Sequence, residues 1–160
     1  MKMNAIDIMN RCRNAASEIN RLNERIARYR ACATDSAAHI NQTGRVQGSG
    51  GDSVSSFAVA VGDCERQRER RKQEYEAESY CACKLLDELP ETECTVLYRY
   101  YVGVQTVGGI AAALRFTTNY VKRKKADGLM LLEKIDISMV LELLPEWYTE
   151  GARADCQEDT

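Results

Sequence analysis

Proline is nearly missing from this chain of 160 residues: only Pro90 and Pro145 are present to break a helix. β-Branched residues are sparse and rarely alternate with polar ones, so few or no strands are expected. No apolar run approaches the roughly 20 residues needed to span a membrane. Met1–Asn10 has no apolar core of the length a secretory signal requires. Histidine occurs once, at His39, and the glycine-rich stretch lacks a terminal Lys-Ser or Lys-Thr. A histidine-based catalytic constellation and a phosphate-binding loop are therefore both absent. Cys81 and Cys83 are the only close cysteine pair, and no second pair stands at a zinc-site spacing, so no metal is expected. The reading is of a protein that is not an enzyme and needs no cofactor. An excess of one charge is lacking too, with a net charge of −2.

What is present is unevenly placed. Basic residues gather at Arg11, Arg13, Arg21, Arg25, Arg28 and Arg30 and again at Lys122–Lys125, while the chain ends in acid from Glu142 to Asp159. A near-neutral total thus conceals local basic footprints. Seven cysteines, an odd number, without a secretory signal point to free thiols in a reducing, cytoplasmic setting.

The fold expected is all-α. From Ala5 to Ala33 small and apolar residues fall at Ala5, Ile8, Cys12, Ala15, Ile19, Leu22, Ile26, Tyr29 and Ala33. The alternating steps of three and four describe a heptad seam, too narrow to be buried without a partner helix. Residues 41–56, rich in Gly and Ser, read as a loop. A second helix is expected to start near Ser53–Ser56 and run to Leu89, with Val54, Phe57, Val61, Cys64, Tyr75, Ala82, Leu85, Leu86 and Leu89 as inward positions. Residues 1–89 then form a long antiparallel helical hairpin, a coiled-coil arm. Pro90 marks the next unit.

Residues 90–135 divide into three shorter helices. Thr92–Val102 is the first, with Val96, Leu97 and Tyr100 or Tyr101 as core candidates. Thr106 caps a second over Val107–Leu114, and Thr117 caps a third that runs through Val121 to Leu132. Residues 136–160 are read as a short helix, Asp136–Leu144, ended by Pro145, and an acidic tail that is disordered over Gly151–Thr160. A helix-turn-helix needs a small residue where its helices cross, apolar inner faces, and a capped second helix with polar residues outward. Ile110, Ala111, Leu114 and Val121 supply the inner faces, and Phe116 is expected to fill the corner. Thr117, Thr118, Asn119, Lys122, Arg123 and Lys125 are left for double-stranded DNA, Asn and Arg suiting base edges and Lys and Thr suiting phosphates.

Leu89-Pro90-Glu91, Val96-Leu97, Tyr101-Val102, Ile110-Ala111, Leu114 and Val121-Lys122 together resemble region 4 of the sigma-70 family, over residues 89–132. The helical hairpin before it is similar to small phage and prophage proteins of Gram-positive bacteria that join a coiled coil to a sigma-like helix-turn-helix, overlapping with ArpU-like and RinA-like late regulators. The resemblance implies a late transcription regulator, with DNA and RNA polymerase as partners and a homo-oligomer, most simply a dimer reading two half-sites. Other proteins with similar parts are the small terminase subunit of DNA packaging and non-DNA helical interaction modules. This chain departs from the sigma pattern at Arg115, where the turn usually carries glycine, and at Gly108 and Gly109, where acidic residues are usual. Positive φ is therefore expected at an arginine. No counterpart of the sigma region that reads the other promoter element is present, so a complete sigma factor is not expected.

Overall fold

The computed structural model describes residues 3–43 and 50–149, with side chains at 3–35 and 55–149, and is all-helical among them. The helices are α1 (Ala5–Thr43), α2 (Gly50–Leu86), α3 (Glu91–Leu97), α4 (Val107–Leu114), α5 (Thr118–Leu132) and α6 (Ser138–Leu141), with a π-helical turn, Tyr98–Val102, directly after α3. None of the described helices is long and apolar enough to cross a membrane.

Helix α1 opens with a reciprocal cap: the Asp7 N–H donates to Asn4 Oδ1 and the Asn4 N–H donates to Asp7 Oδ2, both at 2.9 Å. Part of the stretch expected as a loop, 41–56, is helical. Helix α1 continues through Thr43 and α2 already begins at Gly50. Glycine, aspartate and serine, as in Gly50–Ser53, are well tolerated in an opening helical turn, which is why a loop-like composition did not exclude helix there. Residues 44–49 and the tail from residue 150, including Cys156, lie outside the described residues.

The chain divides into two compact units, and the division does not follow Pro90: one comprises residues 17–72, the other 1–16 with 73–160. In the first, α1 and α2 pair antiparallel, since partners on α2 fall in number as α1 advances. Arg71 Nε meets Glu18, Arg68 Nη1 donates to Asn23 Oδ1 at 3.0 Å, and Arg30 meets Glu65. Leu22, Ile26 and Cys64 are buried there, flanked by Tyr29 and Val61. So narrow a seam holds two helices mainly by apolar contact, because exposed ion pairs add only about 0–1 kcal/mol each.

The second unit has the larger core. Ala5, Ile8, Met9 and Cys12 from α1 meet Cys81, Ala82, Leu85 and Leu86 from α2, Leu97 from α3, Tyr101 and Leu132. The segment after α5 contributes to this core: Ile137, Val140, Leu144 and Tyr148 are all buried in it. Their spacing of three or four residues is that of a core-facing helical stripe. It spans α6, which covers only Ser138–Leu141 of the helix expected over 136–144, then a tight turn and, after Pro145, a further helical turn at 146–149. Glu78 is buried within the same unit and accepts a hydrogen bond from the Tyr148 hydroxyl at 2.5 Å.

Two corrections concern helix ends. Helix α2 stops at Leu86, not Leu89, because Pro90 disfavours helical backbone at the residue before it. The Glu88 and Leu89 N–H groups instead close tight turns on the Leu85 and Leu86 carbonyls at 3.3 and 3.0 Å. The helix expected over Thr92–Val102 changes character at Tyr98, where the Gly103 N–H reaches back to the Tyr98 carbonyl at 3.0 Å. The wider turn sends Tyr101 into the larger core. Glycine is required at 103, since a Cβ there would stand 2.8 Å from the Arg99 carbonyl oxygen.

Candidate nucleic-acid interface

Helices α4 and α5 have the bounds and caps that their sequence predicts. The Gly109 N–H donates to Thr106 Oγ1 at 3.1 Å, and the Tyr120 N–H donates to Thr117 Oγ1 at 3.2 Å. Each cap satisfies a donor that has no partner inside its helix. Between them Arg115 takes the left-handed conformation, with φ 57° and ψ 39°, and the Phe116 N–H bonds the Ala111 carbonyl at 2.9 Å. A non-glycine residue in that region costs energy, so the turn is held by its surroundings rather than by its sequence. Val104, with φ 52°, is a second such position, ahead of α4.

The inner faces meet as expected. Val96, Ile110, Ala111 and Val121 form one buried cluster, with Ala111 as the small residue between the helices. Phe116 does not fill the corner. Tyr100, Val107 and Leu114 already close that cluster, and Phe116 stays exposed with its ring edge-on to Tyr120, 4.8 Å between centroids.

At α5 the structure separates the residues singled out from sequence. Val121, Gly128 and Leu132 point inward. Thr117, Thr118, Asn119, Lys122 and Arg123 are exposed. The Thr117 oxygen serves the cap, which leaves its hydroxyl hydrogen to donate elsewhere. Lys125 stands apart: it is half-buried, with its ammonium 3.7 Å from the centroid of the Tyr100 ring. The Arg13 guanidinium lies over the same ring at 3.9 Å, and it also donates to the Tyr100 carbonyl and, at 3.4 Å, to that of Gln105. Cation–ring attraction and packing on neighbouring side chains thus draw Lys125 away from the polar face.

Lys124, the remaining cation of this run, reaches the buried Glu93 of α3 at 2.8 Å. That hydrogen bond holds the Glu93 carboxyl below, and the Lys124 ammonium above, their ordinary values. Both shifts favour the charged pair. Just beyond, Gly128 lets α5 cross α3 closely. A Cβ at that position would lie 2.7 Å from Leu97 Cδ1 and 3.2 Å from its Cγ. Sequence reading did not find the close approach at Gly128, or the partners of Glu93 and Arg13. Their partners are 31 and 87 residues away, beyond any local periodicity.

Other chemistry is sparse. Six cysteines are free thiols among the described residues. Burial, reinforced by the nearby Glu78 carboxylate, pushes Cys12 up to about 12 and Cys81 up to about 11, so both stay protonated and unreactive near neutral pH. Tyr98 is exposed, Tyr100 half-buried and Tyr101 buried, which makes the tyrosine cluster part core and part rim. Among the described residues no group of three or more His, Cys, Asp or Glu is placed to hold a metal ion. Searches of the chain against protein-family models, curated proteins and solved structures return no match.

Proposed function

We propose that the protein binds double-stranded DNA by laying α5 in the major groove, and that it is a sequence-specific transcription regulator of the phage late-gene type. The observation that supports this most is the composition of one exposed face. Thr118, Asn119, Lys122 and Arg123 lie there, while Asp127, the only carboxylate on α5, is half-buried to one side. The opposite face is anchored in two cores, so the helix is presented rigidly. Asn119 and Arg123 have the donor and acceptor sets for purine edges; Lys122 and the threonine hydroxyls suit backbone phosphates. Arg115 adds a further exposed cation at the entry to α5. A dimer with RNA polymerase as a second partner fits the same reading.

The test is fluorescence anisotropy with labelled duplexes drawn from the surrounding genome, at two salt concentrations. Lys122→Ala should weaken binding to all duplexes and lower the salt slope by about one. Asn119→Ala should instead relax the choice between sequences by about 1–3 kcal/mol at one base pair. Wild-type protein that binds no duplex at low salt would refute the reading.

A further inference from the structure

A second basic site lies in the unit formed by residues 17–72, remote in sequence from α5. Over that stretch ten Lys and Arg face seven Asp and Glu, although the whole chain is net negative. Antiparallel pairing of α1 with α2 brings Arg21 and Arg25 of one helix beside Arg70 and Arg71 of the other. They line a solvent-open cleft of about 350 Å³ together with Gln67 and Glu18. Glu18 is its only carboxylate and is ion-paired to Arg71. Arg21, Arg25 and Arg70 are exposed and have no ion pair or hydrogen bond among the described residues.

Arg21 and Arg25, four residues apart, share one helix face, where like charges repel. Placing Arg70 and Arg71 opposite them adds to that repulsion. A concave surface lined in this way focuses positive potential and gathers anions. The rest of the lining narrows the ligand. It offers no aromatic ring for a base to stack on, and its one carboxylate is already engaged. What the cleft recognises is therefore charge and oxygen geometry. The planar fork of a guanidinium matches the paired oxygens of a phosphate, and several forks converge here. We infer that this cleft is a phosphate-binding site, accepting either the phosphodiesters of a nucleic acid or a free polyphosphate, and acting independently of α5.

The test uses the full chain and the triple variant Arg21→Gln, Arg25→Gln, Arg70→Gln, each with and without Lys122→Ala and Arg123→Ala. Anisotropy with a mixed-sequence duplex is read between 50 and 200 mM salt, and inorganic pyrophosphate is titrated in a thermal-shift assay. If duplex phosphates occupy the cleft, the triple variant lowers the salt slope by about 2–3, so the affinity lost across that salt range shrinks roughly 16- to 64-fold. That change should appear whether or not α5 is altered, so failure at α5 and failure at the cleft are told apart. If the ligand is a free polyphosphate, pyrophosphate raises the melting temperature of the wild type but not of the triple variant, and the duplex slope is unchanged. Glu18→Gln, which removes the only carboxylate from the cleft, should tighten whichever ligand binds. The triple variant should melt no lower than wild type, because it relieves repulsion. Unaltered duplex slopes together with no pyrophosphate shift overturn the proposal, as does weaker binding in Glu18→Gln.

Discussion

Gly128→Ala is the sharpest probe of how α5 is seated. Replacing glycine by alanine within a helix ordinarily stabilises it by about 1 kcal/mol. At Gly128 the new methyl would stand 2.7 Å from Leu97 Cδ1 and 3.2 Å from Leu97 Cγ, and Leu97 is fully buried. Moving Leu97 off its rotamer costs about 0.5–1.5 kcal/mol, and overpacking a filled core typically costs about 1–3 kcal/mol. The packing loss should exceed the helix gain, leaving Gly128→Ala about 1 kcal/mol less stable than wild type. Gly108→Ala is the matched control, because a Cβ there meets nothing within 4 Å. It sits in the first turn of α4, so its gain is at most about 1 kcal/mol. The two variants should therefore differ by about 1–2 kcal/mol in urea unfolding. The fluorescence of Trp147, the only tryptophan and a member of the same compact unit, reports the transition. A cycle with Leu97→Ala sharpens the result: its usual cost of about 2–5 kcal/mol should be smaller when residue 128 is alanine, since the added methyl occupies part of the space vacated. If Gly128→Ala is as stable as Gly108→Ala and shows no coupling to Leu97, the close crossing of α3 and α5 is refuted.

Two further measurements test the turn and the partly buried ion pair. Arg115→Gly should raise stability by about 1 kcal/mol, because glycine takes φ 57° without a Cβ penalty; a loss of stability would show that the arginine side chain holds the turn. The Glu93 carboxyl is held below its ordinary value and the Lys124 ammonium above. The Glu93 contribution is complete above the unfolded carboxyl value of about 4.3 and is lost as pH falls through the lower folded value. The Lys124 contribution is complete below about 10.4 and is lost as pH rises through its higher folded value. Glu93→Gln should therefore melt with a weaker acid-side dependence than wild type, and identical melting profiles from pH 6 down to about 3 would disprove the pairing.

Much of the α4–α5 region was legible along the chain because its determinants are local. A threonine hydroxyl reaches the N–H three residues on, as at Thr106 and Thr117, and the inward positions Ile110, Ala111 and Val121 lie within about three helical turns of one another. The seam of α1 was legible for the same reason: Ala5, Ile8, Cys12, Ala15, Leu22 and Ile26 are buried at heptad spacing. The helical ends were less so, because residues such as Gly50–Ser53 suit both a loop and an opening turn. Contacts between distant segments left no periodic trace. Nothing near Lys125 announced that Tyr100 would hold it, nothing near Gly128 announced Leu97, and the spacing of Ile137, Val140, Leu144 and Tyr148 marks an inward face without naming α1 and α2 as what it would meet. Which residues become helical, and where each helix is capped, follows from interactions a few residues long and is written in the chain. Which of its cations stay exposed and which pack against other side chains depends on what the fold brings beside them, and that was settled by packing.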